Sequence, residues 1–407
     1  MDQRRSDVRH ADPLGVVGGR PARGALAWFG GRGARAILYQ GLVIAAIVAL
    51  GYYLVSNTLE NLASRNIATG FTFLDREAGF PIAEHAINYS PESSYGRAYL
   101  VGILNTLQVS AIGIVLATIL GILIGIAQLS SNWLIARLAL SYVEVMRNIP
   151  LILQLFFWYG LILALPGPRE ALEIIGGDVY LSNRGFAFAL PAFDAVHRWA
   201  LILVAVGLMG TLALRFFSGW RQARTGRTFP LFWSGVALVL GPATILFVAA
   251  GAPLAWERPA LSGFNIVGGG RLSPEFFALV FGLTTYTAAY IAEVVRAGIL
   301  AVPKGQSEAA HALGLRRSHA TRLVILPQAL RLIVPPATNQ YLNLTKNSSL
   351  AVGIGYQELV SVGNTTINQT GQAIEGIAMI MAVYLTISLT ISAGMNLYNR
   401  RIALKDR

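Results

Sequence analysis

Apolar stretches about as long as a bilayer is thick, separated by short polar and basic segments, set the pattern of this chain. A helix needs about 20 largely apolar residues to cross the hydrocarbon core, where no water can satisfy bare backbone groups. Eight stretches fit that template: Ala36–Val55, Ala98–Leu129, Ile149–Leu165, Trp199–Phe217, Pro230–Ala250, Pro274–Leu300, Ala351–Thr366 and Ile377–Leu397. The second and sixth are long enough to tilt or to extend past the membrane. The seventh is short and rich in Gly and polar residues. The expectation is an all-α integral membrane protein with about eight transmembrane helices.

Composition agrees. The 407 residues are 54% hydrophobic and only 13% charged, where a soluble domain carries about 25% charged residues. The net charge of +12 first suggests nucleic acid, but its distribution gives another reading. Seven basic residues lie in the tail to Arg35, two in the Arg137–Arg147 turn, four in Arg215–Arg227, seven in Arg296–Lys346 and four at the C-terminus, 24 of the 32 in all. These segments fall on one side of an eight-span chain, which places both termini in the cytoplasm and removes the need for a nucleic-acid partner. A cleaved signal peptide is the rival reading of the first span; its long apolar run, beginning 35 residues into the chain, favours an uncleaved anchor. With no cysteine and five scattered histidines, disulfides, thiolate chemistry and a metal site have no support.

The segment after the sixth span is too apolar for a loose loop. It runs from Glu293 and Arg296 through Val302-Pro303-Lys304-Gly305-Gln306-Ser307-Glu308-Ala309-Ala310-His311-Ala312-Leu313-Gly314 to Val324-Ile325-Leu326-Pro327-Gln328. Ser307 is expected to cap a short helix with Glu308 in its first turn. Gly314 is placed to end that helix. Ser318 is expected to cap a second helix, which Pro327 kinks or ends. A small-sided helix of this kind suits a groove on another protein, with flanking arginines to meet acids there.

The segment resembles the EAA loop of ABC importer permeases: Glu308, Ala309, Ala310, Gly314, Leu326 and Pro327 match that pattern, and Val324 stands where it has Ile. The longer run from Arg296 to Ala329 resembles the polar amino-acid, or histidine/glutamine, branch. So do Arg147-Asn148-Ile149-Pro150-Leu151-Ile152-Leu153-Gln154, although Asn148 and Ile149 depart from that branch's Gly-Thr, and Lys346-Asn347-Ser348-Ser349-Leu350. The extra length of 1–97 and 166–273 is similar to the larger general L-amino-acid permeases. The resemblance implies a type I importer transmembrane domain over 98–397, with a helix-pair insertion at 166–273. Flanking it would be a cytoplasmic tail over 1–35, an anchor span with a periplasmic segment over 36–97, and a second cytoplasmic tail over 398–407.

It further implies that Glu308, Ala309, Ala310, Leu313, Gly314, Leu326 and Pro327 form a cytoplasmic coupling helix and its support, docked on a dimer of ATPase subunits. The other implied partners are a second permease, identical or a sibling, and a periplasmic amino-acid-binding protein, all in a bacterial inner membrane. The chain has no Gly-Lys pair and so no phosphate-cradling Gly-x-x-x-x-Gly-Lys-Ser/Thr loop; ATP and Mg belong on the partner, and no cofactor is expected here. Polar groups in spans are costly and are candidates for the substrate path. These are Asn105, Thr106, Gln108, Gln154, Tyr159, Thr285, Tyr286, Tyr290, Lys346, Asn347, Ser348 and Ser349. Bonding between helices, or to their own backbone, is the competing use. Glu293 and Arg296 are spaced to pair. Gly121 and Gly125, with Gly113 two turns earlier, permit close helix packing, one place for which is a permease–permease interface. The alternative function is an ion-gradient-driven secondary transporter of small polar solutes. It would want acids within the spans, where Glu358 is the exception to their near absence.

Overall fold

The computed structural model describes residues 32–64, 69–192, 194–226, 230–251 and 255–402. Most of the basic tail expected over 1–35, and the end of the one over 398–407, lie outside the described residues. The chain divides into two units, Met1–Thr69 and Gly70–Arg407. The first is described by one helix, α1 (Arg32–Ser64), whose 33 residues make a rod about 50 Å long. Its side chains from Ile37 to Val55 are exposed, as on a helix solvated by lipid.

The second unit is built around a pair of helices, α2 (Tyr95–Ala127) and α7 (Pro274–Leu300). Ser94 and Ser273 each cap their helix by accepting a backbone N–H three residues on. Gly121 and Gly125 face α7 directly: a Cβ at Gly121 would lie 2.7 Å from Ile291 Cβ, and one at Gly125 2.7 Å from Ala292 O. Gly113 meets Leu344 in the same way. The Gly-x-x-x-Gly pair is therefore used inside the chain, to bring α2 against α7, rather than being free for a second permease. Helix α4 (Leu151–Leu163) adds Leu155 and Trp158 to the core, Trp158 meeting Phe281 edge-on at 4.7 Å.

Among the described residues, six helices are long and apolar enough to span: α1, α2, α5 (Ala195–Thr225), α6 (Leu231–Ala249), α7 and α12 (Ala373–Ile402). A seventh candidate is α3 (Trp133–Asn148) taken with α4, which meet at a bend of 104°. The expected third span, Ile149–Leu165, is thus the shorter half of a broken element. Pro150 has no N–H to continue the helix and holds Ile149 extended (φ −96°, ψ 126°).

The expected seventh span, Ala351–Thr366, also differs. It is a 3₁₀ turn (Ser348–Ile354) followed by α11 (Leu359–Thr370). Those 12 helical residues reach only about 18 Å. The long helix before it is α10 (Leu326–Asn347), 22 residues, which falls outside the apolar candidates because it holds Arg331, Pro335, Pro336 and Lys346. Neighbouring helices make such residues tolerable; Ile333, Val334, Ala337 and Leu344 of α10 are buried.

The insertion at 166–273 is a helix hairpin held at its base by strands. β1 (Leu172–Ile174), β2 (Val179–Ser182) and β3 (Gly185–Phe188) lead toward α5, with β4 (Leu190–Pro191) after them. After α6 come β5 (Trp256–Glu257), β6 (Ala260–Ser262), β7 (Asn265–Val267) and β8 (Gly270–Leu272). β8 pairs antiparallel with β3 and β5 with β4, so the outgoing and returning chains are stitched together. The expected periplasmic stretch before α2 belongs to this second unit from Gly70 onward: Phe73, Phe80 and Tyr95 form one buried aromatic cluster.

Candidate functional site

Pro303 (φ −57°, ψ 134°) ends the three-residue turn from α7, and α8 (Lys304–Ala312) begins at the next residue. The helix therefore starts three residues before the expected Ser307 cap, and Glu308 lies beyond its first turn. Ser307 instead lends its carbonyl to His311 Nδ1 at 2.6 Å. The C-terminus matches expectation. Leu315 N–H donates to Ala310 O (3.1 Å) and Gly314 N–H to His311 O (2.9 Å), with Gly314 at φ +78°, the paired bonds of a Schellman stop that favours glycine.

The following helix, α9 (Arg317–Ala320), is capped at Arg316, two residues before Ser318. It runs through a wide π turn (Thr321–Ile325) into α10. Pro327 sits at the start of α10 rather than ending a helix; the missing N–H and the bulk of the ring are absorbed by the turn before it.

The exposure pattern of α8 defines a face. Ala310 is buried beneath it, while Glu308, Ala309 and Ala312 are exposed and Leu313 is 82% exposed. Gln328 Nε2 donates to Gln306 Oε1 at 3.1 Å, tying α8 to α10. Leu326 is exposed and Pro327 half-buried below it. Arg316, Arg317 and Arg322 are exposed as well, and no ion pair involves them among the described residues. This small-sided helix thus shows alanines and one leucine beside exposed cations.

Most candidate substrate residues are engaged in holding the body together. Asn105 Nδ2 donates to Glu84 O and Gln357 O, each at 2.8 Å. Thr106 Oγ1 accepts from Leu359 N–H at 3.2 Å and reaches Glu358 Oε2 at 3.4 Å. Glu358, wholly buried, caps α11 by accepting the N–H groups of Val360 and Ser361 and also accepts from the Tyr384 hydroxyl. Gln154 Nε2 donates to Met146 O and Ile149 O, the carbonyls freed by the break between α3 and α4. Tyr159 donates to Glu275 Oε1 at 2.9 Å.

Thr285, Ser348 and Ser349 each bond carbonyls of their own helical turn. Tyr290 meets the Tyr286 hydroxyl at 3.1 Å, with the Arg147 guanidinium 5.2 Å above its ring. Lys346 is exposed and Asn347 half-buried at the end of α10. Glu293 and Arg296 pair as their spacing predicts, at 2.5 Å. Of the candidates, Gln108 is exposed in a cleft that also holds two residues the sequence did not single out, Glu84 and Arg271. Burial pushes the Glu84 carboxyl above its ordinary range; hydrogen bonds from Ser273 oppose the shift and Glu275 adds to it.

The helical body and the α8 face define a multi-pass membrane protein of the transport-permease class. Over residues 221–404 the sequence matches the family described as binding-protein-dependent transport system inner membrane component, and the chain belongs to that family. It is 49% identical to the general L-amino acid transport system permease protein AapQ of Rhizobium johnstonii, over 92% of this chain and 93% of that one. It is also 49% identical to the putative amino-acid ABC transporter permease protein YhdX of Escherichia coli, over 92% and 95%. The glutamate/glutamine/aspartate/asparagine transport system permease protein BztB of Rhodobacter capsulatus is 41% identical, over 92% and 95%.

Proposed function

We propose that this chain is the membrane-spanning permease subunit of an ATP-driven importer of L-amino acids. The observation that carries the reading is α8: a helix fixed at Pro303 and Gly314, presenting Glu308, Ala309, Ala312 and Leu313 outward at the end of the most buried helix of the body. A push on α8 has only Ala301–Pro303 to cross before it reaches α7. The energy enters from a separate ATPase pair that binds ATP and Mg; this chain supplies the moving path and no ATPase site. A second permease completes the path, and an extracytoplasmic binding protein delivers the cargo. The substrate class follows the relatives, all three named for amino-acid transport.

The basic segments put both termini and α8 on the cytoplasmic side of a bacterial inner membrane. Secondary transport would need a free acid in the spans, and Glu358 is occupied with capping α11. In proteoliposomes holding the whole importer, Gly314→Asp and Glu308→Lys are expected to leave ATP hydrolysis running while amino-acid uptake falls at least about tenfold, the scale of one lost charge-assisted contact. Normal coupling in both variants contradicts the reading.

A further inference from the structure

Beside the N-terminus of α7 the body opens into two adjoining clefts of about 360 Å³ each, within the range of about 300–1,000 Å³ typical of small-molecule sites. They share one wall, formed by Ala83, Glu84, Arg271 and Leu272, and Gln108 lines one of them. This end of α7 is opposite the one that leads to α8, about 40 Å away along the helix.

The wall is rigid. Glu84 Oε1 accepts the Ser273 N–H at 3.0 Å, joining it to the cap of α7. The backbone around Glu84 is held by Asn105 on its carbonyl and by Gln357, which accepts from Ala83 N–H at 2.7 Å and donates to Pro81 O at 2.8 Å. Arg271 lies in β8, opposite Ala187 of β3.

Opposite charges on one wall ordinarily close on each other. These do not: the ion pairs among the described residues are Arg258–Asp178 and Arg296–Glu293. Arg271 is exposed, without a hydrogen-bond partner among them, and Glu84 is held by Ser273 alone, with no cation paired to it. Arg184 also lines the second cleft, but it is held by Asn265 Oδ1. An anion and an unpaired cation held apart in an open cleft match a ligand that carries both charges on groups attached to one carbon. We infer that this cleft is a receiving site for zwitterionic α-amino acids, with Glu84 taking the ammonium, Arg271 the carboxylate and Gln108 a polar group of the side chain. The inference rests on the amino-acid import reading above.

The test uses the complete importer in proteoliposomes and a mixture of radiolabelled L-amino acids, following each one that the wild type accumulates. Glu84→Gln and Arg271→Gln are each expected to raise KM about tenfold or more, the size of one lost charge-assisted bond, with kcat and basal ATP hydrolysis kept. Arg271→Lys should recover part of the loss. Unchanged KM in both Gln variants overturns the site, and so does a fall in kcat alone, which would mark a structural role; in either case the import reading stands. Wild-type vesicles that accumulate no L-amino acid overturn both.

Discussion

Of the helix pairs that meet through glycines, two carry opposite burdens. α2 and α7 approach through Gly121 and Gly125, and α4, α10 and α11 then build on them. α5 and α6 approach through Gly207, where a Cβ would lie 2.5 Å from Leu238 O, and through Gly235, where one would lie 2.9 Å from Thr211 Cγ2. Around that second contact the hairpin leaves Ile202, Met209, Phe216, Phe232 and Ile245 exposed. Both pairs are apolar enough to span. Apolarity tells which segments enter lipid, and glycine spacing tells which faces touch; neither tells how much of the protein rests on the contact.

Substitutions sharpen that contrast. The largest effect is expected from Gly125→Leu, because the new side chain meets backbone at Ala292 as well as Val295. Over-packing of about 1–3 kcal/mol or more should lower the thermal midpoint of the detergent-solubilised permease and abolish uptake. Gly207→Leu meets the same kind of backbone obstacle at Leu238 and Val239, yet it should open only the hairpin. Proteolysis between α5 and α6 should speed up, while the midpoint of the body moves little. If the two variants melt alike, the hairpin is part of the core and the comparison fails. Smallest is Tyr159→Phe, which removes one bond to Glu275 at the edge of the α4–α7 contact. The expected cost is about 1 kcal/mol, read as a slight fall in the same midpoint with uptake retained.

How much of this could be read from the sequence depends on whether the chemistry was local. The stop at Gly314 and the pairing of Glu293 with Arg296 involve neighbours along the chain, and both were legible. Helix starts were less so: Ser307 and Ser318 are good caps by type, but Pro303 and Arg316 already occupy the extended positions where the helices begin. α10 was hidden because its prolines and cations lower the hydropathy that long apolar helices advertise. The polar residues of the spans, among them Thr285, Ser348 and Ser349, were flagged by their cost in lipid, whereas the structure meets that cost with carbonyls of the same turn. Glu84 and Arg271 carry no motif. They come together only because β8 pairs with β3 next to the cap of α7, and the 70–94 segment folds across it.

The central claim is that α8 seats in an ATPase subunit, and the absence of cysteine from the chain allows a direct test. Leu313→Cys would place a lone thiol at the exposed cap that ends that helix. Assembled with its ATPase in native membranes and treated with a short thiol-to-amine crosslinker, the variant should give a crosslinked permease–ATPase species that weakens when nucleotide is exchanged. A thiol that forms no such species, and is instead labelled in intact cells by a membrane-impermeant maleimide, would place α8 outside the cytoplasm and contradict the account.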